Sequence, residues 1–205
     1  MADLSKTSGV AVATIKMYLR EGLLPAGERV AANQARYGEE HLQRLRLIRA
    51  LVTVGGLRVA AARKVLTAID SDAPVAEAFE VAQHAVSESA DAEPDEDALG
   101  TLDALTNAWH VSPGNPGRMQ AARAIQSFRD AGQQDLQGWL TRYASAALAV
   151  AEADLDEVDA RPGRAAKVET VVVGTVLGDA LFSGLRRVAQ EHVSMQRFTE
   201  RTGDD

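Results

Sequence analysis

The chain of 205 residues is 46% apolar and 25% charged and contains no cysteine. That composition suits one large or two small globular domains, and it excludes disulfides, thiolate metal sites and cysteine nucleophiles. The net charge of −7 is unevenly spread: residues 1–70 hold 11 Lys and Arg against 6 Asp and Glu (+5), and residues 71–205 hold 11 against 23 (−12). A basic head on an acidic remainder suits a polyanion-binding module on a soluble body. No apolar run approaches the roughly 20 residues of a membrane helix, and the start Met-Ala-Asp-Leu-Ser-Lys lacks the apolar core of a signal peptide. The expectation is a cytoplasmic, nucleoid-associated protein with no membrane partner.

In chain order, a short first helix has Asp3 or Ser5 as its cap, and Gly9 supplies a tight turn with φ > 0. A second helix spans residues 11–21 and stops at Gly22. Val12, Ile15 and Leu19 share its inner face, while Ala13, Met17 and Arg20 point the opposite way, flanked by Thr14 and Lys16. A small, basic outer face is what a helix in the DNA major groove needs. Residues 24–37 carry Pro25, Gly27 and Asn33, with Arg29 and Arg36 near the two ends, and read as a hairpin-like wing. A helix over 39–54 has the stripe Leu42, Leu45, Ile48 and Val52, with Arg44, Arg46 and Arg49 around it. Gly55-Gly56 breaks it before a fourth helix over 57–69.

A fifth helix is expected over 74–87, then an acidic linker over about 88–97 punctuated by Pro94. Helices over 99–111, 118–131 and 135–159 follow, with a turn at 112–117 and a break at 161–164. The stretch 168–173 is β-prone taken alone. In its wider window Val168, Val171, Val172, Thr175, Phe182, Leu185, Ala189 and His192 keep a helical period, so one long helix is expected from 165 to about 197. Gly174 and Gly178, four apart, would let another helix approach closely. The fold class is all-α: a winged helix-turn-helix domain over 1–70 and an all-helical effector or dimerisation domain over 74–205.

The run Ser8-Gly-Val-Ala-Val-Ala-Thr-Ile-Lys-Met-Tyr-Leu-Arg-Glu-Gly-Leu-Leu-Pro25 resembles the recognition segment of the MerR family of transcriptional regulators, of the form G-V-S-x-x-T-L/I-R/K-Y-Y-x-R-x-G-L-L. In that family a wing follows and ends in an R-x-Y element. Here Asn33-Gln-Ala-Arg-Tyr37 closes it, and the helix from Glu39 and the Gly-Gly-Leu57 break come next. The resemblance covers about residues 3–70. It implies that Thr14, Lys16 and Arg20 face bases or phosphates, that Tyr18 donates its hydroxyl to a phosphate, and that Arg29 and Arg36 grip the backbone from the wing. It also implies a homodimer on pseudo-palindromic double-stranded promoter DNA, distorted so that RNA polymerase is helped or blocked. Ala13 and Met17 stand where the family commonly has an Arg and an aromatic, so base readout should be modest. The family's long coiled-coil helix does not follow the fourth helix here. Residues 171–192 are weakly similar to the last helix of TetR-type regulators.

His41, His84, His110 and His192 are scattered, so no metal site and no cofactor is expected. No G-x-S-x-G, P-loop or H-E-x-x-H occurs, and an enzyme is not expected. Trp109, Phe128, Trp139, Tyr143 and Phe182 are read as helix-packing residues, or as the lining of a pocket for a small, largely apolar organic effector, with His110 and Gln126 as orienting groups. The alternative function is a helical small-molecule or protein-binding module with a degenerate DNA-binding head.

Overall fold

The computed structural model describes residues 1–31, 34–87 and 93–198. The wing tip with Asn33 and the first half of the expected acidic linker, 88–92, lie outside them. The elements are α1 (Ala2–Ser8), α2 (Val12–Arg20), β1 (Glu28–Ala31), β2 (Gln34–Arg36), α3 (Glu39–Arg49), a π-helical turn (Ala50–Val54), α4 (Val59–Asp70), α5 (Val75–Val86), α6 (Glu96–Leu105), α7 (Pro116–Asp130), α8 (Trp139–Asp159) and α9 (Gly163–Phe198). The all-α expectation holds, with one two-stranded antiparallel hairpin among the described residues.

Two compact units are formed. One comprises Met1–Leu66 and the described residues from Val173 onward; the other is Thr67–Val172. The last stretch therefore groups with the head, where the sequence reading placed it with the rest of the carboxy-terminal part. A close contact explains this. Val176 presses on Gly55 so tightly that a Cβ there would overlap its Cγ1 and lie 2.8 Å from the Leu51 carbonyl oxygen.

The head packs large aliphatic side chains. Ile15, Leu23, Leu24, Leu45, Ile48 and Leu51 are each no more than 1% exposed, and each such burial is worth about 1.5–3 kcal/mol. The second unit is built around smaller residues. Ala78, Val158, Val168 and Val171 are buried, with Ile69, Val75 and Phe79 packed against them. Arg164 closes its α4–α5 corner, donating to the Ala73 carbonyl at 2.6 Å and the Ser71 carbonyl at 2.7 Å.

Several boundaries differ from expectation, each for a local reason. The first helix has no side-chain cap. It begins at Ala2, so Asp3 falls in the first turn, and Ser5 instead donates its hydroxyl to the Val10 carbonyl at 2.6 Å. The acidic stretch ends earlier than 97: Asp95 accepts the Ala98 N–H at 2.8 Å and starts α6, whose first turn holds Glu96 and Asp97 against the positive helix end. Helix α6 stops at Leu105, short of 111. Helix α8 starts at Trp139, not 135, because Gly138 adopts φ 66°, while the Asp135 carboxylate accepts the N–H groups of Trp139 and Leu140. Helix α9 is more apolar than the sequence reading, which found no apolar run of membrane length, had expected. An 18-residue window within it has mean hydropathy 1.5, and by length and composition alone it could span a bilayer. Its glycines, alanines and threonine hide that run from a count of large apolar residues.

Candidate nucleic-acid interface

The helix-turn-helix is fixed at its turn. Gly9 takes φ 67°, accessible to glycine at low cost, and its N–H donates to the Ser5 carbonyl at 2.9 Å. The Val10 N–H is satisfied by the Ser8 hydroxyl at 3.2 Å. Beyond α2, Gly22 takes φ 72° and turns the chain into buried Leu23 and Leu24.

Helix α3 then holds α2 at both ends. Arg49 Nη1 donates to the Ser8 carbonyl at 3.1 Å, before α2, and Arg44 Nε donates to the Leu23 carbonyl at 2.9 Å, after it. Sequence reasoning placed these arginines around the apolar stripe and missed this role, since a five-residue spacing on one helix carries no signal of where its partners lie. The start of α3 is closed by its own third residue: His41 Nδ1 accepts the Gly38 N–H at 3.1 Å. The ring is buried, edge-on to Tyr37 at 5.2 Å between centroids.

The wing pairs Glu28 with Arg36 and Arg29 with Ala35. Gly27 is required at its base. A Cβ there would sit 2.5 Å from the Arg36 carbonyl oxygen and 2.9 Å from the Tyr37 ring. A groove between the start of α1 and the wing is lined by Asp3, Val30, Ala35, Arg36 and Tyr37.

The expected contact residues fall into three groups. Lys16, Arg20, Arg29 and Arg36 are exposed. Arg20 lies beside Glu21 at 3.5 Å, and Glu21 also receives Arg63 Nη2 at 2.6 Å, so the positive charge at the end of α2 is partly offset. Thr14 is half-buried. Tyr18 is only 5% exposed, so its ring is a core element of the head. The inner face of α2 is therefore Ile15 and Tyr18, with Leu19 half-buried and Val12 36% exposed at the rim. This corrects the expected trio of Val12, Ile15 and Leu19: Tyr18, three residues on from Ile15, is buried, and Val12 at the start of the helix is not.

In the second unit, the Phe128 and Trp139 rings meet tilted at 52°, 4.8 Å between centroids, and Trp139 meets Tyr143 edge-on at 5.8 Å. Gln126, considered as a ligand-orienting group, instead accepts the Asp95 N–H at 3.1 Å. Trp109 is half-buried and His110 exposed. Among the described residues no three His, Cys, Asp or Glu gather into a cation site.

Residues 1–69 match the family described as MerR HTH family regulatory protein. Over 45 residues the chain is 47% identical to the HTH-type transcriptional regulator ZntR homolog of Haemophilus influenzae, a match covering 22% of this chain and 33% of that relative, so the chain spans about a third of its length. Along nearly its whole length the chain is similar to the crystal structure of SCO5550 from Streptomyces coelicolor A3(2), described as a transcriptional regulator, with 38% identity, a TM-score of 0.70 and 96% of each chain covered. The chain thus belongs to the MerR family of helix-turn-helix transcriptional regulators, with residues 1–69 as its family domain.

Proposed function

We propose that the chain binds double-stranded promoter DNA as a homodimer, with α2 in the major groove and the wing on the adjacent backbone, and that this binding helps or blocks RNA polymerase on nucleoid DNA in the cytoplasm. The observation that carries the reading is the exposure of Lys16, Arg20, Arg29 and Arg36 on a head whose reading helix is held at both ends. Thr14 lies at the edge of the contact, and Tyr18 contributes through its hydroxyl. One helix reads too few bases for useful specificity, and two half-sites about one turn apart multiply it. Ala13 and Met17 offer no strong hydrogen-bond donor, so affinity rests more on phosphates than on bases. An effector, where one acts, is a small apolar organic molecule at the aromatic group of Phe128, Trp139 and Tyr143. The chain performs no catalysis.

Titration against DNA selected from a random pool, at several salt concentrations, tests this. Replacing Lys16 or Arg36 by Ala lowers the slope of log K against log salt by about 0.9 per contact and weakens all sequences alike. Arg20→Ala has a smaller effect, because Glu21 already offsets its charge. A triple Ala variant at 16, 20 and 36 that bound as tightly as the parent would sink the assignment.

A further inference from the structure

Helix α2 ends on a local conflict. Its last turn carries Arg20, a cation that suits the negative end of a helix, but the residue that closes it is Glu21, an anion that does not. The backbone fixes where that carboxylate stands: the Glu21 N–H donates to the Met17 carbonyl at 2.8 Å, and Gly22 turns the chain away at φ 72°. Two guanidinium groups meet the carboxylate, one on each oxygen. Arg63 of α4 donates to Oε2 from Nη2 at 2.6 Å, a short charge-assisted bond. Arg20 approaches Oε1 with Nε only to 3.5 Å, beyond ordinary hydrogen-bond length. Arg63 comes from a well-seated helix, for its neighbours Ala62, Val65 and Leu66 are buried in the head. Side-chain exposure rises from Glu21 (34%) through Arg63 (48%) to Arg20 (74%). The carboxylate is thus committed to α4, and its weaker partner is the one that reaches into solvent at the end of the reading helix.

We propose that Arg63 is a positioning residue for DNA binding: by holding the Glu21 carboxylate it frees Arg20 for a phosphate. The inference rests on the DNA-binding reading above and adds to it a residue that acts through another. The physical case is a competition for Arg20. A carboxylate with no other cation beside it would take the Arg20 guanidinium as its own partner, and a phosphate would have to displace it. With Arg63 in place, one oxygen is already bonded and much of the negative charge is balanced, so Arg20 gives up little when it turns to the duplex. The same grading argues against Arg63 as the contact itself. Moving Arg63 to a phosphate would break a 2.6 Å bond, whereas moving Arg20 breaks a contact of 3.5 Å. The link joins positions 42 residues apart, so α4 helps to set the charge that α2 shows to DNA.

The experiment uses the full chain and the duplex selected from the random pool, titrated at several salt concentrations. Arg63→Ala is expected to weaken binding about 3- to 10-fold at low salt. It should also flatten the salt slope by part of the ~0.9 that one phosphate contact contributes. Glu21→Gln is expected to strengthen binding about 2-fold, because the charge that offsets Arg20 is gone. Two double variants isolate the route. Arg63→Ala added to Glu21→Gln, or to Arg20→Ala, should change affinity by less than about 2-fold, since there is then no carboxylate to hold or no guanidinium to free. Arg63→Lys keeps a cation on the carboxylate and should bind within about 2-fold of the parent. Arg63→Ala that binds like the parent overturns the proposal. So does a loss that persists undiminished in the Glu21→Gln or Arg20→Ala background, which would mean that Arg63 meets a phosphate itself or only supports the fold. Should Arg20→Ala alone leave binding unchanged, the proposal falls while the DNA reading stands on the Lys16 and Arg36 variants. A parent that binds no duplex overturns both.

Discussion

The head and the body solve the same packing problem with different materials. In the head, the buried leucines and isoleucines come from α1, α2, α3, the π-helical turn and the segment between α2 and the wing. In Thr67–Val172 the buried positions are mostly alanine and valine: Ala78, Ala82, Ala98, Ala122, Val158 and Val168. Its larger apolar groups stay outside, with Leu136 78%, Leu148 42% and Leu155 43% exposed. Small buried residues bring helices close but remove less apolar area per residue, so polar ties carry more of the definition there. The bidentate pair of Arg118 with Asp103 (3.0 and 2.6 Å) and the hydrogen bond of Asn115 to Gln83 (3.1 Å) are such ties.

The contrast is open to direct attack. Ile15→Ala should cost about 2–5 kcal/mol, because it empties a fully buried site among large neighbours. Val158→Ala should cost about 1.6 kcal/mol, from two buried carbons at ~0.8 each. Both tryptophans, Trp109 and Trp139, lie in the body, so fluorescence reports that region while circular dichroism reports both. In urea, Ile15→Ala should move the circular dichroism transition more than the fluorescence transition. Equal movement of the two would mean that head and body unfold as one.

Gly55→Ala should cost about 1–3 kcal/mol through overpacking, since the added methyl meets both Val176 and the Leu51 carbonyl. A thermal midpoint within a degree of the parent would show that α9 yields at this contact. The control Gly174→Ala meets open space and should gain slightly from helix propensity in the monomer.

The smallest effect belongs to the body's ion pairs. The Arg118 guanidinium, through its hydrogen bonds and charge, holds Asp103 below the usual carboxylate range. The Ala98 N–H, with help from Arg129, does the same for Asp95. A folded-state value below the unfolded one contributes stability above the ordinary carboxylate value of about 3.9, and that stability is lost as pH falls through the depressed value. Asp103→Asn should therefore lower the body's thermal midpoint slightly at neutral pH and flatten its decline as pH falls below the ordinary carboxylate value of about 3.9. A decline as steep as the parent's would mean the pair does not persist in solution.

Much of the head was legible in the sequence because its signals are local. Gly9 and Gly22 mark backbone positions with φ > 0, Gly55-Gly56 marks the helix break, and the spacing from Val10 to Leu24 carries the family pattern. What escaped was long-range. Nothing local to Arg44 or Arg49 says that their partners are the carbonyls of Leu23 and Ser8, 21 and 41 residues away. Tyr18 read as an outward hydroxyl because its family role was visible and its ring packing was not. In the body, amphipathic period located the helices, but Asp95 and Asp135 moved their starts through capping bonds that a charge count reads as solvated acid.

The hold of α3 on α2 has a consequence for how such a head changes its target. Arg44 and Arg49 grip main-chain carbonyls, and every amino acid supplies a carbonyl. These two bonds hold the ends of α2 without using the side chains on its outer face. Positions 13, 14, 16, 17 and 20 can drift one at a time while the docking angle stays constant. On the DNA-binding reading proposed above, single substitutions at these positions change the operator that is read without disturbing the fold.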